Sequence, residues 1–274
     1  MDVIKFVQQV EVEILETIHN FCVENNIKYS LAYGTLIGAV RHKGFIPWDD
    51  DIDICMLRED YERFIKLWQE NPPSGFILQN IDTDEDFDQN MTKIRKDHTT
   101  FIQFEIEREK HYHRGIFVDI FPADRVPQSK LARKWQFFCA ALKLLYSRRY
   151  GSGSSNKILS AGEKILLKAV SPKNYPKYRK WADRQVQKWN GNPELQITLT
   201  EIIMRIRQYH PHDLFDEMIL LPFEGKEFYC FKQYDKYLTT CYGDYMKLPP
   251  EEERVWKHHP ILIDLEKNYE ELEK

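Results

Sequence analysis

Gly34-Thr35-Leu36-Ile37-Gly38-Ala39-Val40-Arg41-His42-Lys43-Gly44-Phe45-Ile46-Pro47-Trp48-Asp49-Asp50-Asp51-Ile52-Asp53-Ile54 is the most informative stretch of this chain. A glycine and a hydroxyl residue open it, three basic side chains follow, and four carboxylates crowd its end. In an extended strand, side chains at i and i+2 share a face, so Asp51 and Asp53 project together while Ile52 and Ile54 turn to the core. Two carboxylates that close repel each other unless a cation lies between them. Hard oxygen donors suit Mg²⁺ or Mn²⁺, with phosphate oxygens completing the octahedron. The stretch predicts a divalent-metal site that handles phosphates.

The flanking residues fit that chemistry. Gly34 permits close backbone approach, and Thr35, placed to cap a helix through Val40 that Gly44 ends, offers a hydroxyl and helix N-terminal amides to phosphate oxygens. Arg41 and Lys43 can neutralise a transferring phosphoryl group, and Lys93 and Arg95 share one face of a later strand with the same potential. Each of these cations would look the same on a solvated surface. Asp49 and Asp50 orient the turn or contact substrate, and Trp48 lines the site or packs. Asp119, between Val118 and Ile120, is half-enclosed by apolar neighbours and needs a partner. It completes the metal site, acts as general base, or does both.

The stretch resembles the signature of the LicD family, bacterial phosphocholine transferases related to fukutin and fukutin-related protein within the nucleotidyltransferase superfamily. The superfamily pattern is a Gly-Ser/Thr pair, Asp-x-Asp on a strand and a third carboxylate on a later strand. Here these are Gly34-Thr35, Asp51 with Asp53, and Asp119 within Gly115-Ile116-Phe117-Val118-Asp119-Ile120-Phe121-Pro122. The resemblance covers residues 29–126, returns in Tyr242-Gly243-Asp244-Tyr245-Met246-Lys247-Leu248-Pro249, and is weak between 128 and 195.

The resemblance implies an α/β (α+β) fold, a nucleotidyltransferase-like mixed sheet with flanking helices. It implies Asp51, Asp53 and Asp119 as catalytic, metal-ligating residues for Mg²⁺ (or Mn²⁺). Substrate contacts would come from Gly34, Thr35, Arg41, Lys43, Trp48, Asp50, Lys93 and Arg95. The implied reaction is attack by a sugar hydroxyl on CDP-choline or another CDP-alcohol, with CMP leaving. The acceptor would be a lipid-linked glycan of the teichoic-acid or lipopolysaccharide type. Tyr29, Tyr33, Trp48, Phe117 and Phe121, near the signature, are candidates for an aromatic cage around a quaternary ammonium. The rival readings are true nucleotidyl transfer, in which an NMP group moves and pyrophosphate leaves, and a catalytically silent nucleotide-binding scaffold in glycan assembly.

The 274 residues are enough for a substantial core, and 42% hydrophobic with 14% aromatic content marks a globular chain. No apolar run approaches the ~20 residues that cross a bilayer. Met1 to Lys5 show no basic leader before an apolar run, and five cysteines without metal-ligand spacing fit free thiols. The expectation is a cytoplasmic protein, peripheral at the inner face of the membrane. The net charge is −4, but residues 128–188 hold fifteen Lys/Arg against two Asp/Glu, so the middle of the chain should meet something anionic. No nucleic-acid motif accompanies this charge. Neither His258-His259 nor His111 with His113 has zinc-ligand spacing, and no Walker-type loop or nucleophile elbow appears.

Along the chain, apolar residues from Val3 to Phe21 recur at helical steps, and Arg58 to Glu70 form a second amphipathic helix. Strands are expected over Ile27–Tyr33, Phe76–Ile81, Met91–Arg95, Phe101–Ile106 and Gly115–Phe121, with a solvated acidic loop at Asp82–Asp88. Helices follow at Lys130–Tyr150 and Ala161–Val170. Three segments result: a catalytic core over 1–127, a basic helical segment over 128–194 placed for acceptor or membrane contact, and a C-terminal region over 195–274 that packs back on the core.

Overall fold

The computed structural model describes residues 3–84, 86–110, 112–201, 205–256 and 260–272. His111, His258 and His259 of the zinc alternative therefore lie outside the described residues. Helix α1 (Val3–Glu24) buries Val7, Ile14, Leu15 and Ile18 completely, each such side chain contributing about 1.5–3 kcal/mol. Glu11 interrupts that apolar face and is buried with it. The expected strand over Ile27–Tyr33 shrinks to β1 (Ser30–Leu31), because the chain turns into helix α2 (Tyr33–His42) as early as Tyr33. Thr35 therefore sits inside the first turn, and Ala32, not Thr35, occupies the cap. Lys43 closes the helix in the left-handed region, donating its N–H to the Gly38 carbonyl, one position before the expected Gly44.

Strand β2 (Asp53–Leu57) leads directly into α3 (Arg58–Glu70), whose bounds match the sequence reading. Glu59 and Asp60 occupy its first turn, where they complement the helix dipole, and Tyr61, Phe64 and Trp68 face the core. Strands β3 (Phe76–Gln79), β4 (Thr92–Lys96), β5 (Thr100–Ile102) and β6 (Phe117–Arg125) follow. The strand expected over Phe101–Ile106 stops early, giving way to a 3-10 turn at Glu105–Glu109. Asp82 of the acidic loop is taken up by Arg179 at 2.6 Å, and Asp88 by Lys110 at 2.9 Å.

Helices α4 (Lys130–Arg148), α5 (Lys157–Ala169) and α6 (Tyr175–Val186) make up the basic segment, and α6 is an element that the apolar pattern did not reveal. Strand β7 (Ile197–Leu199) returns to the sheet, followed by the hairpin β8 (Met218–Phe223) and β9 (Lys226–Phe231). Helix α7 (Tyr234–Tyr242), strand β10 (Leu262–Asp264), which pairs with β5, and α8 (Tyr269–Leu272) end the described chain.

The main sheet runs β1-β2-β6-β4-β3, with β7 also on β6. Among the described strands of this sheet the β2–β6 pair is parallel and the rest antiparallel, so this is a mixed α/β sheet. The C-terminal residues Ile197, Phe215, Phe228, Phe231 and Tyr237 enter the same hydrophobic core as Val7, Ile54 and Ile120. The basic segment instead has clusters of its own, where Leu142, Leu145 and Tyr146 of α4 meet Tyr175 and Ala182 of α6.

A buried ionic network ties that segment to the core. Arg58 donates to both carboxylate oxygens of Asp124, at 2.9 and 2.7 Å, and Lys143 of α4 reaches Asp183 at 2.6 Å and Glu201 at 2.8 Å. Burial alone would raise the Asp183 carboxyl, but Lys143 and Arg58 hold it down to about 2. All five cysteines are unpaired. No helix among the described residues is long and apolar enough to cross a membrane.

Candidate active site

The parallel pairing sets Asp53 of β2 opposite Asp119 of β6, and the antiparallel pairing sets Asp119 opposite Lys93 of β4. Register partners on neighbouring strands point to the same face, so the three side chains stand in a row across the sheet. The Lys93 ammonium reaches Asp119 Oδ1 at 2.6 Å and lies 3.4 Å from the centre of the Phe117 ring. Asp53 is fixed through its own backbone: its N–H donates to the Thr35 hydroxyl at 2.8 Å, and its carbonyl accepts from Ala32 N–H at 2.9 Å. Ile52 and Ile54 are fully buried, as the alternation required.

Asp49, Asp50 and Asp51 bring carboxylate oxygens within 4.8 Å of one another. Helix α1 approaches this group from outside the sheet, where Gln8 Nε2 donates to the Asp49 carbonyl at 2.7 Å. Glu11, three residues further along the same helix face, is buried, and its Oε2 has no hydrogen-bond partner. A Cβ at Gly34 would stand 2.6 Å from Asp49 Oδ2, so any side chain there would push the Asp49 carboxylate aside.

The electrostatics follow from this crowding. Burial, then Asp51, Asp119 and Asp49, push the Asp53 carboxyl well above its ordinary value, against the opposing pull of Lys93. Glu11 is pushed up in the same way, first by burial and then by Asp51, Asp50, Asp49 and Asp119. Burial lowers the Lys93 ammonium, with Asp119 opposing. Carboxylates crowded enough to disfavour the charged forms of Asp53 and Glu11 are what a hard divalent cation relieves, so this donor set fits Mg²⁺ or Mn²⁺.

A cavity of about 660 Å³ opens over the carboxylates. Gly34, Asp49, Asp51 and Asp53 line one side, with Arg41 and Trp48 beside them. The opposite wall is C-terminal, with Arg205, Tyr242, Tyr245 and Lys247. Arg41 Nη1 donates to the Tyr245 carbonyl at 2.9 Å. The Arg205 guanidinium sits 4.6 Å from the ring centres of both Tyr33 and Tyr242, and Arg254 lies 5.7 Å from that of Trp48.

Of the residues expected from sequence, Gly34, Arg41, Trp48, Asp51 and Asp53 meet at the cavity, and Asp119 and Lys93 adjoin it through Asp53. The Thr35 hydroxyl serves Asp53, and buried Asp50 accepts the indole N–H of Trp256. Lys43 is exposed at the end of α2, away from the cavity lining. Arg95 donates to Gln79 at 2.7 Å and to the Gly115 carbonyl at 2.6 Å. Among the aromatic candidates, Tyr33 and Trp48 line the cavity. Tyr29 instead bonds His19, Phe117 carries Lys93, and Phe121 packs edge-on against Tyr33.

Glu11 and Arg205 were missed. A lone glutamate on an apolar helical face was the available signal for Glu11. Arg205 offered none, since only the fold brings it to Tyr33.

A family model described as the LicD/FKTN/FKRP nucleotidyltransferase domain matches residues 26–141. The lipopolysaccharide cholinephosphotransferase LicD of Haemophilus influenzae is 34% identical over 263 residues, covering 92% of this chain and 94% of that protein. This chain belongs to the LicD family. Uncharacterised proteins of Rickettsia typhi and Rickettsia prowazekii are 38% and 50% identical over 68 and 48 residues. Those segments cover 25% and 18% of this chain, and 22% and 18% of the rickettsial proteins. The family match takes in every carboxylate from Asp49 to Asp119, whereas Glu11 on one side and Arg205 and Tyr242 on the other fall outside it.

Proposed function

We propose that this LicD-family transferase moves phosphocholine from CDP-choline to a sugar hydroxyl of a lipid-linked cell-surface glycan, such as lipopolysaccharide or teichoic acid, at the inner face of the membrane. Attack at the choline-bearing phosphorus breaks its bond to the bridging oxygen, so CMP leaves. The observation that carries the reading is the cavity itself, lined by Asp49, Asp51 and Asp53 together with Arg41, Arg205 and aromatic rings. Anionic pyrophosphate and a cationic alcohol both find complementary groups there. The name of the Haemophilus influenzae relative supports phosphocholine as the group transferred.

Asp51, Asp53 and Asp119 would hold Mg²⁺ (or Mn²⁺), whose chemistry is to offset charge gathering on the pyrophosphate as CMP departs. Thr35 fixes the Asp53 backbone, and Lys93 fixes the Asp119 carboxylate. The N-terminus of α2, at Tyr33 and Gly34, presents amides to phosphate oxygens, and Arg41 and Arg205 add charge-assisted donors. Arginine cations already lie near the rings of Trp48, Tyr33 and Tyr242, which supports a place for a quaternary ammonium beside them.

The test is incubation with Mg²⁺, a glycan acceptor, and CDP-choline, CDP-ethanolamine or CDP-ribitol in parallel, with nucleotide products separated by chromatography. CMP released from CDP-choline in step with acceptor modification supports the reading. Pyrophosphate release from a nucleoside triphosphate, without CMP from any CDP-alcohol, would replace it with nucleotidyl transfer. No turnover of any donor would leave a scaffold.

A further inference from the structure

Helix α4 carries a second apolar face that its packing on α6 leaves largely open, meeting it only where the Trp135 ring stands edge-on to Trp181 of α6 at 6.1 Å. Leu131, Trp135 and Phe138 recur at i, i+4 and i+7, and are 78%, 42% and 44% exposed. Cys139, Leu142 and Tyr146 turn inward while these three turn outward.

The adjacent face is cationic and concave. Lys130, Arg133, Lys134 and Phe137 of α4, with Arg207 and Tyr209, line a separate cavity of about 440 Å³ with no carboxylate among its described lining residues. Two of its guanidinium groups rest on its aromatic walls, Arg133 at 4.7 Å from the Tyr209 ring centre and Arg207 at 5.2 Å from that of Phe137. Arg133 Nε is further held by the Pro127 carbonyl at 2.8 Å. Among the described residues no carboxylate pairs with Lys130, Arg133, Lys134 or Arg207, whereas Lys143 on the same helix and Arg179 on α6 are paired.

The position of this charge is costly by itself. Lys130, Arg133 and Lys134 occupy the first turns of a 19-residue helix with no acidic residue in its first turn. Cations there oppose the helix dipole, and an anion would offset both the dipole and the side chains.

We propose that this face of α4 is a membrane-docking site, in which the cavity takes the phosphate of an anionic phospholipid headgroup while Leu131, Trp135 and Phe138 enter the interface. A soluble phosphate would satisfy the cations but leave the apolar ridge without a role. An anionic bilayer satisfies both, since basic side chains draw the protein to the surface and a tryptophan with aliphatic neighbours anchors it there. Helix α5 extends the pattern: none of its residues is buried, and Ile158 and Ile165, at i and i+7, are 85% and 67% exposed among Lys157, Lys164 and Lys168. The inference does not rest on the donor chemistry proposed above, because the face is separate from the carboxylate cavity.

Co-sedimentation of the full chain with phosphatidylcholine vesicles, with or without 30% phosphatidylglycerol, at 50 and 500 mM NaCl tests the docking without any turnover. Binding is expected only with phosphatidylglycerol, falling at least tenfold at high salt. Lys134→Glu with Arg207→Glu should abolish it. Leu131→Ser with Phe138→Ser should weaken it at least tenfold while leaving any thermal stabilisation by millimolar pyrophosphate intact. Unchanged circular dichroism and an unchanged thermal melting midpoint would show that the fold survives in both variants. Failure to bind anionic vesicles at low salt overturns the inference, as does vesicle binding that survives loss of the apolar pair. Tighter binding to a single-stranded oligonucleotide than to the anionic vesicles overturns it too.

Discussion

The Thr35 hydroxyl accepts the backbone N–H of Asp53 at 2.8 Å, joining the glycine-threonine pair to the aspartate pair across eighteen residues of sequence. The bond explains why a hydroxyl residue follows Gly34. Gly34 lets the Asp49 carboxylate approach the helix backbone, while Thr35 sets the start of β2 and hence the position of the Asp53 carboxylate.

Thr35→Val keeps the volume and β-branching but removes the acceptor, leaving a buried N–H unpaired at a cost of about 1–3 kcal/mol. Activity should fall more than stability accounts for, about tenfold at saturating donor, because Asp53 loses its anchor. Thr35→Ser should restore most of it. Steady-state kinetics beside urea melts decide; if Thr35→Val keeps full turnover, the bond only supports the fold.

On the proposed metal-binding role, Asp51→Asn and Asp53→Asn should each lower transfer by on the order of 10²-fold or more, since each replaces an anionic carboxylate ligand with a neutral amide. Asp53→Asn should also leave the metal-free fold at least as stable as the parent, because a neutral amide replaces a carboxyl whose charged form is disfavoured by burial and by Asp51. Calorimetry in chelator, alongside CMP release in Mg²⁺, checks both halves. Near-normal activity in either variant would remove these aspartates from the metal site.

Asp119 can act as ligand or as base, and the two roles separate on metal dependence. As a ligand beside Asp53, its conversion to Asn should raise the half-saturating Mg²⁺ concentration about tenfold or more along with the loss of turnover. A base alone would leave that concentration where it was and remove the acidic limb of the pH–rate profile. Titrating Mg²⁺ at several pH values distinguishes them, and wild-type kinetics in Asp119→Asn would make the Lys93–Asp119 pair purely structural.

Local periodicity made α1, α3 and most of the sheet legible, because each element there carries its own apolar pattern over enough residues. The strand-face argument for Asp51 and Asp53 also rests on local alternation; Ile52 and Ile54 are buried as it expects, but β2 begins only at Asp53, so Asp51 and Ile52 precede the strand. What escaped was settled by long-range contact. Tyr33 turns the chain into α2 before the expected strand is complete, and the C-terminal hairpin docks β9 against β1. The hairpin turn itself is Glu224-Gly225, both with positive φ, a short signal lost among the aromatic residues around it. Arg205 reaches the cavity only because the chain from 197 onward folds back over the carboxylates. No pattern in its own neighbourhood could have placed it there.

His210 gives the fold a pH limit that can be read apart from the chemistry. Its ring is buried, stacks at 4.7 Å on Tyr237, and leaves Nδ1 without a partner, so burial lowers its pKa to about 4. The folded protein therefore keeps this imidazole neutral where the unfolded chain, with an ordinary value near 6.5, takes up a proton. The sign follows: between those values the unfolded state binds more protons, so stability falls as pH drops. The contribution is complete above about pH 6.5 and is lost progressively down to about pH 4. At pH 5 the loss amounts to about 2 kcal/mol. The raised carboxyls of Asp53 and Glu11 titrate in the opposite sense, so the whole-protein profile mixes the two. The difference between the parent and His210→Gln isolates the histidine. Urea melts at pH 7.5 and pH 5 should show the parent's advantage over the variant shrinking by about 2 kcal/mol on acidification. An advantage that stays constant across that range would mean His210 is already charged in the fold, and that its ring is solvated rather than sealed against Tyr237.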